Sequence, residues 1–226
     1  MRDTCYDAAA LTGIVRRWCG RRVVVLGDLM IDEFVYGRTD RVSREAPVVV
    51  VRYDGSGFSP GGAANAAQNV AALGGRAVPV GFVGDDERGA MLRSLLSGAG
   101  VGTAGMLVFR DRFTTAKMRV MAGDYHAQRQ QIVRVDREQR TEATAAEEKR
   151  ILARFRREAA RAAAVILSDY GQGVFSGRIV RGAIDFCRKG GIPVVADSRF
   201  RLRLFRGVTT AVPNEVEAHA AAGTTA

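Results

Sequence analysis

Asp28, Asp85, Asp169, Asp197 and Asn214 each stand close behind an apolar run. A carboxylate accepts hydrogen bonds from hydroxyl groups and, through water, helps to hold a hard cation, whereas an amide donates and accepts at once. One such residue is unremarkable, because Asp and Asn are common helix caps. A set of them at the ends of predicted strands points to a ligand site. A second feature is the stretch F-S-P-G-G-A-A-N over 58–65. Pro60 fixes its own φ, and Gly61 and Gly62 tolerate backbone angles closed to other residues. The alanines that follow, with Asn65 in the first turn, predict a helix start with bare N–H groups and room for a ligand backbone. That chemistry suits a polyhydroxylated molecule. An ordinary turn before an Ala-rich packing helix has the same residues.

The elements that must position these groups alternate along the chain. Strands are predicted over 21–26 (R-R-V-V-V-L), 46–53 (A-P-V-V-V-V-R-Y) and 78–83 (V-P-V-G-F-V), with a helix over 87–99. Residues 114–121 and 130–135 alternate like half-exposed antiparallel strands, with Gly123-Asp124 between them. The βα rhythm then returns: helices over 145–162 and 176–189, and strands over 163–168, 192–196 and 208–212. Alternating strands and helices imply an α/β domain with a parallel sheet and right-handed crossovers. In such sheets ligands bind beyond the carboxyl ends of the strands.

Composition narrows the class. The 226 residues carry a net charge of +10, and all but three of the 34 basic residues are arginine. Nucleic-acid binding is disfavoured, because Arg150, Arg154, Arg157 and Arg161 are interleaved with Glu147, Glu148 and Glu158, and aromatics are only 7%. A phosphorylated small molecule is equally compatible with the basicity. No apolar run approaches the ~20 residues of a membrane span, and the first residues hold no apolar signal core. Cys5, Cys19 and Cys187 are odd in number and lack C-x-x-C spacing, which argues against a disulfide framework or structural zinc. A cytoplasmic setting is expected.

The ordered motifs G-D-L-M-I-D (27–32), D-R-V-S-R-E-A-P-V (40–48), P-G-G-A-A-N (60–65), V-G-D-D (83–86), T-T-A-K-M-R (114–119), S-D-Y-G-Q-G (168–173) and P-N-E-V-E (213–217) cover most of the chain. Together they resemble the ribokinase-like (PfkB) carbohydrate kinases, and among these most the heptose 7-phosphate kinase domain of ADP-heptose synthesis. The resemblance implies a three-layer sandwich with a mostly parallel central sheet, plus a small antiparallel β lid near 46–53 and 114–135. It implies one kinase domain over 1–226, homodimeric through the lid, using ATP and Mg2+ on a sugar or sugar phosphate.

The same resemblance implies roles for residues. Asp28, Gly61, Gly62 and Asn65 would bind the sugar. Asp32 would be a second sugar contact or cap a turn. Lys117 would meet a substrate phosphate or hydroxyl, or be a surface lysine on an edge strand. Asp169 would face the phosphate-transfer region or cap a helix. Asp197 and Ser198 would lie near the nucleotide phosphates. Asn214 and Glu217 would organise magnesium through its waters, although Asn214 also suits a helix cap. Two departures stand out. Gln172 replaces a lysine usual in the close relatives. The Gly-Ala-Gly-Asp turn that supplies the family's general base and anion hole does not follow Glu217. The expectation is therefore a C-terminally truncated kinase with no catalytic base of its own; the alternative is a non-catalytic sugar-phosphate-binding or regulatory protein.

Overall fold

The structure, a computed structural model, describes residues 7–123 and 129–224. Cys5, Asp124 and Ala226 lie outside them. A first helix, α1 (Ala8–Arg16), precedes strand β1 (Arg22–Gly27). Two long strands follow, β2 (Leu29–Val42) and β3 (Val49–Gly62), then α2 (Ala63–Ala72), β4 (Arg76–Gly84), α3 (Glu87–Gly98) and β5 (Met106–Phe109). A hairpin of β6 (Thr115–Gly123) and β7 (Gln130–Arg137) leads to α4 (Ala145–Ala159), β8 (Ala164–Asp169), α5 (Gly177–Lys189) and β9 (Val194–Ser198). A short 3-10 turn (Leu202–Phe205), β10 (Thr210–Ala211) and α6 (Glu215–Ala222) complete the described chain.

Two sheets result. The body sheet runs β10-β9-β8-β1-β4-β5, and every pair in it is parallel. Its central strand reads V-V-V-L because it is covered on both faces. Val24 and Leu26 pack with Ile151, Phe155, Ile179 and Val180 of α4 and α5, while Val25 packs with Ala63, Ala67, Leu92 and Leu96 of α2 and α3. This is the three-layer α/β sandwich expected from the motifs. Side-chain caps set the helix starts: Asp86 on α3, Ser176 on α5, and a Thr144–Glu147 capping box on α4.

The second sheet, β3-β2-β6-β7, is the lid, and it differs from the expected antiparallel one. The β2–β3 and β6–β7 pairs are antiparallel, but β2 and β6 run parallel, so the sheet is mixed. The predicted strand over 46–53 begins only at Val49, because residues 43–48 bend around Pro47, and it continues to Gly62. Pro60-Gly61-Gly62 therefore closes a strand and is not a free turn. Neither β2, β5 nor α1 was anticipated. No helix among the described residues is long and apolar enough to cross a membrane. Cys19 is exposed, Cys187 is buried, and both are free thiols.

Candidate functional site

The chain leaves the body at Asp28, runs out along β2, and returns along β3 into α2. Register brings the two ends together: Leu29 faces Gly62, and the Ala63 N–H donates to the Asp28 carbonyl at 3.0 Å. Gly62 sits at φ +55°, and a Cβ there would come within 2.6 Å of that carbonyl. The lid is thus rooted beside the carboxyl ends of β1, β8 and β9, where Gly27 pairs Ser168, Ser168 pairs Asp197, and Asp169 pairs Ser198.

Strand alternation gives the base of the lid two unlike faces. Leu29, Ile31 and Ala116 go down into the core with α2 and α3. Asp32 pairs Lys117 across β2 and β6, so these side chains share the opposite face. Asp32 lies against Gly61: a Cβ on Gly61 would meet an Asp32 carboxylate oxygen at 2.9 Å. The other Asp32 oxygen accepts from Arg119 Nη1 at 2.6 Å. Lys117 is buried, with its Nζ 3.9 Å from Glu138 Oε1. Gln172 reaches the same oxygen from the body, donating through Nε2 at 3.1 Å, while its own Oε1 is buried without a partner. Lys117 does not lie on an edge strand, since β6 is flanked by β2 and β7.

Asp28 corrects the sequence expectation. It is 1% exposed, and its oxygens are filled by the body and not open to a sugar. One oxygen accepts from the backbone N–H groups of Tyr170 at 2.7 Å and Gln172 at 3.1 Å, and the other from Val174 at 3.1 Å. Burial pushes its carboxyl up to about 6, nearby Asp169 adds to the rise, and the three N–H groups oppose it. Asp169 is equally committed: it accepts from Ser198 Oγ at 2.8 Å, Gly171 N–H at 3.0 Å and Arg201 Nη2 at 2.8 Å. It caps no helix, because α5 is capped by Ser176.

Asp197 is half-buried beside this network. Burial first, then the charges of Glu217 and Asp169, push its carboxyl up. Tyr170 joins the two halves of the site: burial raises its hydroxyl, with Asp197, Asp32 and Glu217 all contributing. Asn214 and Glu217 form a reciprocal capping box at the start of α6: Asn214 Oδ1 accepts from the Glu217 N–H at 2.8 Å and Glu217 Oε2 from the Asn214 N–H at 2.9 Å. Asn65 is exposed at the first turn of α2.

The structure therefore brings together Gly61, Asp32 and Lys117 on the lid, and Asp169, Asp197 and Ser198 at the strand ends, with Glu217 electrostatically close. It withdraws Asp28. Sequence reasoning missed Arg119, Glu138, Tyr170 and Arg201. Arg119 was within reach, being two residues beyond Lys117 on the same strand face. Arg201 joins Asp169 only through the loop after β9, which carries no motif. Among the described residues, no group of three or more His, Cys, Asp or Glu side chains is placed to hold a metal ion by itself.

The relatives agree with this architecture. The chain is 42% identical over 215 residues to the bifunctional protein HldE of Caulobacter vibrioides, covering 95% of this chain and 43% of that protein. It is 39% identical over 201 residues to the HldE protein of Geobacter metallireducens, covering 88% and 40%. The chain thus spans less than half the length of these relatives. Among solved structures, Escherichia coli phosphofructokinase-2 in its tetrameric inhibited form superposes with a TM-score of 0.68 at 18% identity, over 91% of this chain and 64% of that one. Arabidopsis thaliana ribokinase complexed with ribose and ATP gives 0.62 at 19% identity, over 90% and 63%. The model of the pfkB family carbohydrate kinases matches residues 21–226, and the chain belongs to that family.

Proposed function

We propose that the chain forms the sugar-binding part of an ATP-dependent kinase that phosphorylates a heptose 7-phosphate at its anomeric hydroxyl. The observation that carries this reading is the polar lid face, where Asp32, Gly61, Arg119 and Lys117 stand opposite the loop bearing Tyr170 and Gln172. Asp32 offers carboxylate oxygens to sugar hydroxyls, and Gly61 keeps a Cβ out of their way. Arg119 and Lys117 supply cationic donors for a phosphate already on the substrate. Gln172 Oε1, buried and unpartnered, suits a hydroxyl donor. A lid rooted beside the strand ends can close over the sugar and exclude water, so that the sugar hydroxyl attacks the γ-phosphate.

The nucleotide belongs on the other side of Tyr170. Asp197, Ser198, Asn214 and Glu217 offer hard oxygen atoms, a donor set that fits Mg2+ held largely through water and phosphate. When bound, Mg2+ neutralises charge on the transferring phosphoryl group. Glu217 and Asp197 keep that region acidic, and the Asp169–Arg201 pair stiffens its floor. The base that takes the hydroxyl proton is assigned to none of these residues. The family's Gly-Ala-Gly-Asp turn is not found in this sequence. Such chemistry draws on cytoplasmic ATP, and we place the protein there. The lid also supports a homodimer, since every residue of β7 is exposed, including Ile132, Val133 and Val135.

The test uses the full-length protein with ATP, Mg2+ and heptose 7-phosphate. The expected product carries one further phosphate on the anomeric oxygen, and Lys117→Ala raises the KM for heptose 7-phosphate more than for unphosphorylated heptose. No transfer to any sugar or sugar phosphate would end the kinase reading. Equal effects on the two heptoses would end the proposed role of Lys117 at the phosphate.

A further inference from the structure

Between β8 and α5 the chain forms a tight loop, Tyr170–Val174, in which Gly171 (φ +72°) and Gly173 (φ +97°) take left-handed backbone angles. Alternating such residues with ordinary ones turns successive N–H groups to one side, a concavity that binds anions. In this protein the anion is internal. The N–H groups of Tyr170, Gln172 and Val174 all donate to the Asp28 carboxylate. The same residue accepts the first N–H of α2 at its carbonyl, and its own N–H donates to the Ser168 carbonyl. One residue therefore ties the end of β1, the end of β8, the start of α2 and the root of the lid.

Among the described residues, no cationic side chain hydrogen-bonds or ion-pairs with this carboxylate. Its charged neighbours are Asp169, which disfavours its ionised form, and Arg201, which is occupied by Asp169. Asparagine, serine or threonine would avoid the burial cost, but each carries a donor that would confront one of the three inward N–H groups. Only a carboxylate fills the nest with acceptors alone. The loop it holds carries Gln172 to Glu138 of the lid side and Tyr170 to the acidic strand-end side.

We propose that Asp28 is a positioning residue: it touches neither sugar nor nucleotide, and holds the Tyr170–Val174 loop at the distance that registers the sugar half of the cleft against the nucleotide half. This rests on the kinase reading above. An error of about 1 Å between two reacting groups costs about a hundredfold in rate, so loss of the loop's anchor falls on kcat.

The experiment compares full-length wild type, Asp28→Ala and Asp28→Asn by hydrogen–deuterium exchange and by kinase kinetics. In wild type the amides of residues 170–174 are protected although they lie outside helix and strand. In Asp28→Ala that segment exchanges about tenfold faster or more, from the loss of three charge-assisted hydrogen bonds, while β1 and β8 keep their protection. The kcat falls about a hundredfold and the KM for ATP stays within about twofold. Asp28→Asn, which keeps one acceptor oxygen, recovers part of both losses. Unprotected 170–174 amides in wild type would overturn the proposal without any variant having to fold. So would an Asp28→Ala protein with wild-type loop exchange and kcat, or an Asp28→Asn protein no better than Asp28→Ala. If wild type phosphorylates no sugar, the kinase reading falls, and the exchange contrast still decides whether Asp28 holds the loop.

Discussion

Asp28 and Asp32 belong to one motif and have opposite environments. Asp32 stands on the lid beside Gly61, with Arg119 on one oxygen and side-chain exposure of 20%. Asn at this position keeps an oxygen that accepts from Arg119, so Asp32→Asn should cost the fold no more than about 1 kcal/mol. Its cost should appear at the substrate, as a drop of about 10- to 100-fold in kcat/KM for the sugar, the range for one hydrogen bond to a charged group. Unaltered sugar kinetics in Asp32→Asn would remove it from the site. Asp28 makes a different prediction. Its carboxyl is raised in the folded protein to about 6 from an ordinary value of 3.8. The folded state therefore binds the proton more tightly than the unfolded state, and this group's contribution improves as pH falls through 6 towards 4. In urea titrations, wild type should gain stability relative to Asp28→Asn over that window, and parallel curves would contradict the raised carboxyl. The motif G-D-L-M-I-D showed that carboxylates cluster here. Which one is buried and which stays partly exposed on the lid was not legible, because it depends on a strand starting immediately at Leu29 and on backbone donors in a loop far along the chain.

Elements with self-sufficient patterns were read well, and those completed by distant partners were not. Apolar runs placed β1, β4 and β8, and the three-and-four spacing of Leu92 and Leu96 placed α3. β2 was missed because its lower face packs on α2 and α3 only near its root, and its partner β6 lies beyond α3 and β5. The parallel β2–β6 pairing was invisible for the same reason: hairpin proximity suggested an antiparallel lid throughout. The join between β5, β6 and α4 rests on Arg112. Its guanidinium is buried, donates to both Glu147 oxygens at 3.0 and 2.8 Å, and also donates to the carbonyls of Thr141 and Glu142. Arg112 holds the Glu147 carboxyl down at about 2. Arg112→Ala removes all four of these bonds, leaves Glu147 with only its Thr144 donors, and should cost about 1.5–3 kcal/mol in denaturant unfolding. A loss below about 1 kcal/mol would show that solvent replaces the arginine. The Glu147 contribution has the opposite pH sign to Asp28: it is present above 4.5 and is lost as pH falls towards 2.

At the scale of the whole molecule, the lid presents two edges and a broad apolar surface to solvent. Tyr53 on β3 is 63% exposed and Val135 on β7 is 54% exposed. Open strand edges carrying such residues invite pairing with another copy. The full-length protein should sediment as a dimer at micromolar concentration, and Val133→Glu with Val135→Glu should shift it to monomer while the thermal transition moves little. A wild-type monomer at that concentration would refute the lid dimer.

Half of the lid, β2 and β3, enters and leaves the body through neighbours, while β6 and β7 are inserted between β5 and α4: Asp28 and Ala63 are joined by a hydrogen bond of 3.0 Å, although a pair of long strands separates them in sequence. The body sheet, β10-β9-β8-β1-β4-β5, includes no strand of the excursion between them. The stretch from β2 to β3 is therefore a module in the engineer's sense. Its outer part, from Glu33 to Phe58, could be replaced by a longer or shorter arm without rethreading the body, while Leu29 and Ile31 at the root stay in the core. A fold that carries half of its lid on so narrow a socket can exchange that half, while the body beneath keeps its wiring.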